Sequence, residues 1–111
     1  MLLRERQRAV QRMFAGTAVK ITVKLDDIAD SVTLIIFDPT LGLAVGTTSG
    51  GVVLGVNMVQ TSANIWTYVW QSPWNAVEGD YVVDVYINKN SYQSVDEMKF
   101  VLIQQEGLVN H

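Results

Sequence analysis

The stretch from Asn64 to Tyr86, NIWTYVWQSPWNAVEGDYVVDVY, limits the fold more tightly than any other part of the chain. It holds two alternating runs, one on each side of a turn. In Ile65 to Trp70 the rings of Trp66, Tyr68 and Trp70 fall on one face, and Ile65, Thr67 and Val69 fall on the other. From Tyr81 onward, Tyr81, Val83, Val85 and Ile87 alternate with Val82, Asp84 and Tyr86. A side-chain period of two is what a strand gives. Asp84 orients the second run, because its carboxylate belongs on the water side. The connector carries Pro73, which has no N–H for a ladder, and Gly79, which permits a turn with positive φ. The order is strand, proline-containing corner, Gly-x-Tyr, strand. Tyr81 is therefore expected to be a corner tyrosine, ring inward and hydroxyl bonded to nearby backbone.

Further alternating or apolar runs flank this pair. Thr17 to Leu25 places Val19, Ile21, Val23 and Leu25 on one face and Lys20, Thr22 and Lys24 on the other, a half-buried strand. Val32 to Phe37 is apolar on both faces and predicts a central strand. Leu43 to Thr47 reads as a short edge strand. Val52 to Val59 reads as a further strand, with Gly55 as a bulge or a point of close approach. Val95 to Ile103 reads as the last, with Met98, Phe100 and Leu102 on one face. Turn signals rich in Asp, Ser, Asn, Gly and Pro separate these runs. About seven short strands at this spacing predict an all-β sandwich. Its core is expected to include Val32, Leu34, Ile36, Tyr81, Val83, Val85, Phe100 and Leu102.

Composition decides what class of chain this is. At 111 residues, 49% hydrophobic and 17% charged, it is one folded domain with a real core. Without cysteine it has no disulfide, no thiolate metal site and no cysteine nucleophile. The opening MLLRERQRAV has a two-residue apolar run before its arginines, short of a signal peptide. No run approaches the ~20 apolar residues of a membrane span. The net charge of −3 conceals an asymmetry. Arg4, Arg6, Arg8 and Arg12 are all the arginines and stand against Glu5 alone in the first 12 residues. The rest of the chain sets four lysines against ten acids. Residues 1–16 thus form a basic arm on an acidic body, residues 17–103 the sandwich, and 104–111 a loose tail. The arm is rich in helix formers and is expected to be helical or a frayed end.

The series TVKLDD, SVTLIIFDP, WTYVWQSP, EGDYVVDVY and a final F.L resembles the immunoglobulin-like β-sandwich modules of bacterial surface proteins and tailed-phage virion proteins. The resemblance covers about Thr17 to Ile103. It implies an antiparallel immunoglobulin-like sandwich, and a location in the virion or in the cytoplasm before assembly. The opening RERQRAV resembles leader segments of small phage-encoded modules of this kind. The cysteine pair of antibody domains is absent.

Catalytic chemistry finds little support in the residues. His111, the sole histidine, is the last residue and offers no base for a Ser-His-Asp arrangement. Asp80 and Asp84, or Asp96 and Glu97, are carboxylate pairs with no pocket marked around them. Asp26, Asp27, Asp30 and Asp38 are placed by the sequence reading at adjacent strand ends, where loop carboxylates could bind Ca²⁺. Aspartate is also an ordinary turn residue, and no DxDxDG loop is present. No catalytic residue, metal site or cofactor is expected.

Binding has two readings. The face of Trp66, Tyr68 and Trp70 either lines the core or offers a stacking platform for a sugar, and ring area favours the core. Trp74 beside Pro73, Tyr86 and Tyr92 are candidate exposed contacts for carbohydrate. The arm, through Arg4, Arg6, Arg8, Arg12 and Phe14, is the candidate contact for a protein partner: another copy, giving a homo-oligomer, or a virion protein. Nucleic acid is not expected, because the arm lacks interleaved aromatics and the acidic body repels a duplex. A non-enzymatic structural or assembly module is the first expectation, and a carbohydrate-binding surface module the second.

Overall fold

Residues 11–104 are described by a computed structural model. Eleven strand segments follow in chain order. They are β1 (Gln11–Phe14), β2 (Ala18–Lys24), β3 (Ser31–Phe37), β4 (Leu43–Val45), β5 (Thr47–Ser49) and β6 (Val52–Leu54). After these come β7 (Val56–Asn57), β8 (Val59–Ser62), β9 (Ile65–Gln71), β10 (Gly79–Lys89) and β11 (Tyr92–Ile103). One sheet has the order β1-β11-β10-β3-β4, with β7 also paired to β3. A second has the order β2-β9-β8, and β5 and β6 pair as a hairpin.

The alternation in the sequence becomes the layering. In β2 only Val19, Ile21 and Val23 are buried, and the intervening residues are exposed. In β10, Tyr81, Val83 and Val85 are buried, and across from them Leu34, Ile36 and Phe100 complete the inner face. These residues, with Trp66 of β9, belong to one hydrophobic core that draws on both sheets. The ring face of β9 points inward, with Trp66 buried, Tyr68 and Trp70 half-buried against the core, and Val69 of the opposite face exposed. In chain order, β2, β9 and β8 take the places of strands B, E and D, and β3, β10 and β11 those of C, F and G. This is an immunoglobulin-like β fold.

Tyr81 behaves as its sequence context predicts. Its hydroxyl donates to the Val77 carbonyl at 2.6 Å. Its ring stacks on Phe100 with centroids 5.2 Å apart and is tilted against Trp70 at 5.7 Å. Gly79 sits at φ 137°, and a Cβ there would stand 2.9 Å from the Pro39 ring.

Two expectations about the elements are corrected. The arm is not helical where it is described: Gln11–Phe14 is a strand, parallel to β11 and in register with Phe100 to Ile103. A helix this short is marginal without a partner surface, whereas the edge of β11 supplies backbone partners directly. Met13 packs against the core, and Ala15 is buried with its N–H bonded to the Ile103 carbonyl. Arg4, Arg6 and Arg8 lie outside the described residues, as does the tail from 105 onward. Second, Val52 to Val59 is not one strand. It divides into β6, which pairs β5, β7, which pairs β3, and the start of β8, which pairs β9 in the other sheet. Gly55 marks the first break and is the expected point of close approach. A Cβ on it would stand 3.0 Å from the Leu34 carbonyl and 3.1 Å from the Thr33 side chain.

Candidate interaction surface

The β3–β4 connection is a braced turn. The Asp38 carboxylate accepts hydrogen bonds from the Thr40 N–H at 2.8 Å, the Thr40 hydroxyl at 2.6 Å and the Gly42 N–H at 2.9 Å. These bonds, the Thr40 hydroxyl first, hold its pKa below the usual carboxylate range. The Leu41 N–H closes the turn on the Asp38 carbonyl. The brace holds Leu41 at φ 69°, a left-handed conformation that costs a residue other than glycine about 1–2 kcal/mol. Leu41 is also 79% exposed, so no packing gain offsets that strain.

Apolar side chains continue along this edge. Leu43 follows on β4, and the next turn brings in the β5–β6 hairpin. A Cβ on Gly46 would lie 3.1 Å from both the Leu43 side chain and the Leu54 carbonyl, so β4 and β6 are neighbours there. Val52, Val53 and Leu54 are consecutive and all exposed. Five large apolar residues within positions 41–54 are therefore exposed, Leu41 and Leu43 at β4 and Val52, Val53 and Leu54 on the hairpin beside it. Sequence reading missed this surface because it took Val52 to Val59 as a single strand. The signal was present in VVL directly after Gly50-Gly51, too short a run to alternate usefully.

The aromatic candidates are not brought together. Trp74, 73% exposed, lies in the loop before β10, and Tyr92, 81% exposed, starts β11 beyond the far end of β10. The 11 residues of β10 separate them, some 33 Å at ~3.3 Å per residue. Tyr86 lies between them, half-buried, paired with Thr33 and Val95. Of the arm residues, Arg12 and Phe14 both lie on β1 and are exposed.

The loop aspartates also separate, contrary to the sequence reading. Asp30 precedes β3 and Asp38 follows it, so they occupy opposite ends of a seven-residue strand. Asp27 pairs with Lys89, and Asp30 accepts from the Asn90 N–H. The hydrogen bond from Lys89, then that from the Ile28 N–H, lowers the Asp27 pKa. Among the described residues no three His, Cys, Asp or Glu side chains are grouped to hold a metal ion.

On the outer face of the larger sheet, Asp84 stands directly opposite Glu97. Partial burial, and then the Glu97 charge, raise the Asp84 pKa. A groove of about 210 Å³ runs between β2 and the β1–β11 edge, lined by Met13, Val19, Ile21, Met98 and Phe100 among others. It is smaller than the ~300–1,000 Å³ of ordinary ligand pockets.

No protein-family model matches the sequence, and no curated protein does. Solved structures do resemble it. An engineered protein aligns with TM-score 0.55 and 16% identity over 86% of this chain and 18% of its own. The endo-β-1,4-mannanase from Thermotoga petrophila aligns with TM-score 0.55 and 7% identity over 87% of this chain and 18% of its own. The chain thus spans less than a fifth of the length of either. A chain from a structure of T cell specificity and activation by the bacterial superantigen toxic shock syndrome toxin-1 aligns with TM-score 0.53 and 16% identity. That alignment covers 85% of this chain and 92% of the other. At these identities the likeness is one of fold.

Proposed function

We propose that this domain is a non-enzymatic assembly module, an immunoglobulin-like β-sandwich that docks a protein partner through one sheet edge. The observation that carries the reading is the apolar edge formed by Leu41, Leu43, Val52, Val53 and Leu54, with Leu41 strained and exposed at once. Apolar side chains held in water mark an interaction site when they are contiguous. A backbone outlier at such a place points to function, because folding alone gains nothing from it. Docking would bury these side chains, and the Asp38 brace would supply a surface already set in shape before binding. The leader and strand motifs favour a phage or prophage particle as the setting, with virion proteins as partners.

The test uses the full chain with candidate virion proteins. Leu41→Asp and Val53→Asp change exposed residues and should leave far-UV circular dichroism unchanged. Binding should fall at least tenfold in each. Binding that survives both changes would remove the edge from the reading. The isolated exposed Trp74 favours a second reading, carbohydrate binding. Glycan binding that is lost in Trp74→Ala and kept in Val53→Asp would decide for it.

A further inference from the structure

The two sheets each turn one face into the shared core, so their other faces look outward in opposite directions. These outer faces carry opposite charge. On the smaller sheet, Lys20, Thr22 and Lys24 of β2 alternate with the buried Val19, Ile21 and Val23. Strands β8 and β9 carry no charged residue, so the two lysines set the sign of that face. On the larger sheet, Asp80 and Asp84 of β10 alternate with the buried Tyr81, Val83 and Val85, and Glu97 stands opposite Asp84. We propose that the outer face of the smaller sheet docks on the outer face of the larger sheet of a second copy, Lys20 and Lys24 against Asp80, Asp84 and Glu97.

Spacing carries the inference. Lys20 and Lys24 stand four residues apart on one face of one strand. Asp80 and Asp84 do the same on β10. At ~3.3 Å per residue each pair is set ~13 Å apart, so stacking the faces brings both lysines over carboxylates at once. The rest of each face suits contact. Val69 lies beside Lys20, and Val59 lies one row on beside Thr67; both valines are exposed. On the larger sheet, half-buried Val82 lies between the two aspartates with Phe37 beside it, and exposed Val95 lies beside Tyr86.

Electrostatics favours another copy as the occupant. Among the described residues the ion pair found is Lys89 with Asp27, so neither the two lysines nor the three carboxylates are paired within the chain. Asp84 and Glu97 oppose each other as like charges, which destabilises a sheet until a cation meets them. Lys99 and Arg12 share the acidic face, Lys99 across from Val82 and Arg12 two strands from Asp80, and the three carboxylates outnumber them. Two like faces would repel, whereas unlike faces attract and fix their register. A contact between different faces is heterologous and repeats from copy to copy, giving a ring or a filament. This surface is distinct from the apolar β4–β6 edge and does not rest on it.

Sedimentation of the full chain over a range of concentrations tests this. At low salt the mass should rise with concentration beyond a dimer. It should fall back as ionic strength goes from ~0.1 M to ~1 M, where the screening length shortens from ~10 Å to ~3 Å. Lys20→Glu with Lys24→Glu, and separately Asp80→Lys with Glu97→Lys, change exposed residues only. Each pair of changes should weaken self-association at least tenfold while far-UV circular dichroism stays the same. An equimolar mixture of the two variants should recover it, because each reversed face meets its complement on the other variant. A monomer at low salt at every concentration would overturn the proposal, as would assembly that survives either reversal or a mixture that does not associate. A species that stops at a dimer would overturn the head-to-tail arrangement. Val53→Asp should leave self-association unchanged. Its loss in that variant would move the contact to the apolar edge and overturn docking between faces, so either reading can fail alone.

Discussion

Tyr81 concentrates several demands on one side chain. Its ring fills the core between Phe100 and Trp70, and its hydroxyl closes the corner on Val77. Burial raises its pKa, with a smaller push from Asp38. Tyr81→Phe keeps the ring and removes one hydrogen bond, so it should cost about 1 kcal/mol in urea denaturation. A change under a few tenths would mean that water replaces the bond at no loss. Asp38 offers a second test at this scale. Its folded pKa is depressed, so its contribution to stability is present above the ordinary carboxylate value of ~3.9 and is lost as pH falls through the folded value. Asp38→Ala should lower the melting temperature near neutral pH, and the difference from the unaltered chain should shrink toward pH 2. A constant difference across that range would show that the brace acts by shape and not by charge.

At the scale of elements, the β10–β11 hairpin holds a visible strain. Lys89 pairs with Tyr92, and the two residues between them, Asn90 and Ser91, sit at φ 51° and 70°. This is a two-residue turn with both central residues left-handed, the geometry that favours Asn-Gly. Ser91→Gly should relieve ~1–2 kcal/mol of left-handed strain. It also gives the unfolded chain freedom worth ~0.4–1 kcal/mol. A net gain of roughly 0.5 kcal/mol is expected in chemical denaturation, and a loss would show that the Ser91 side chain contributes an interaction of its own. Strands of this kind were legible in the sequence where one face is buried and the other wet. That held for β2 and β10, whereas β3 was legible as a run apolar on both faces, its outward Ile35 being buried close to Gly46. What local pattern could not convey was which strand pairs with which. The helix formers ahead of Phe14 hid β1, whose partner lies almost ninety positions away at the other end of the chain. The nearly unbroken apolar run of Val52 to Val59 hid two changes of partner, because local composition carries no record of which strand lies alongside. The apolar edge was unreadable for the same reason, since exposure depends on what fails to cover a residue.

For the molecule as a whole, the central question is whether two sheets make one cooperative unit. Their pairings are mostly distant: Lys20 meets Val69 in one sheet, and Leu34 meets Val85 in the other. Among the described residues no hydrogen-bonded ladder joins the sheets, so the shared core must couple them. Val19 of β2 and Leu34 of β3 are both fully buried in that core, one from each sheet. If the layers depend on each other, loss of packing in either should weaken both. Leu34→Ala should cost about 2–5 kcal/mol through lost transfer energy and the cavity left behind. Two probes can separate the layers. Trp66 and Trp70 lie on β9 and face the shared core, so in a Trp74→Phe background fluorescence reports on the packing of the smaller sheet in that core. Far-UV circular dichroism reports mainly on the larger one. In a two-state domain both follow a single transition. The decisive comparison is Leu34→Ala, a change in the larger sheet read by fluorescence from the smaller. Both probes should move to the same lower denaturant midpoint. If dichroism shifts while fluorescence keeps its original midpoint, the sheets fold separately, and the reading of this chain as a sandwich is wrong.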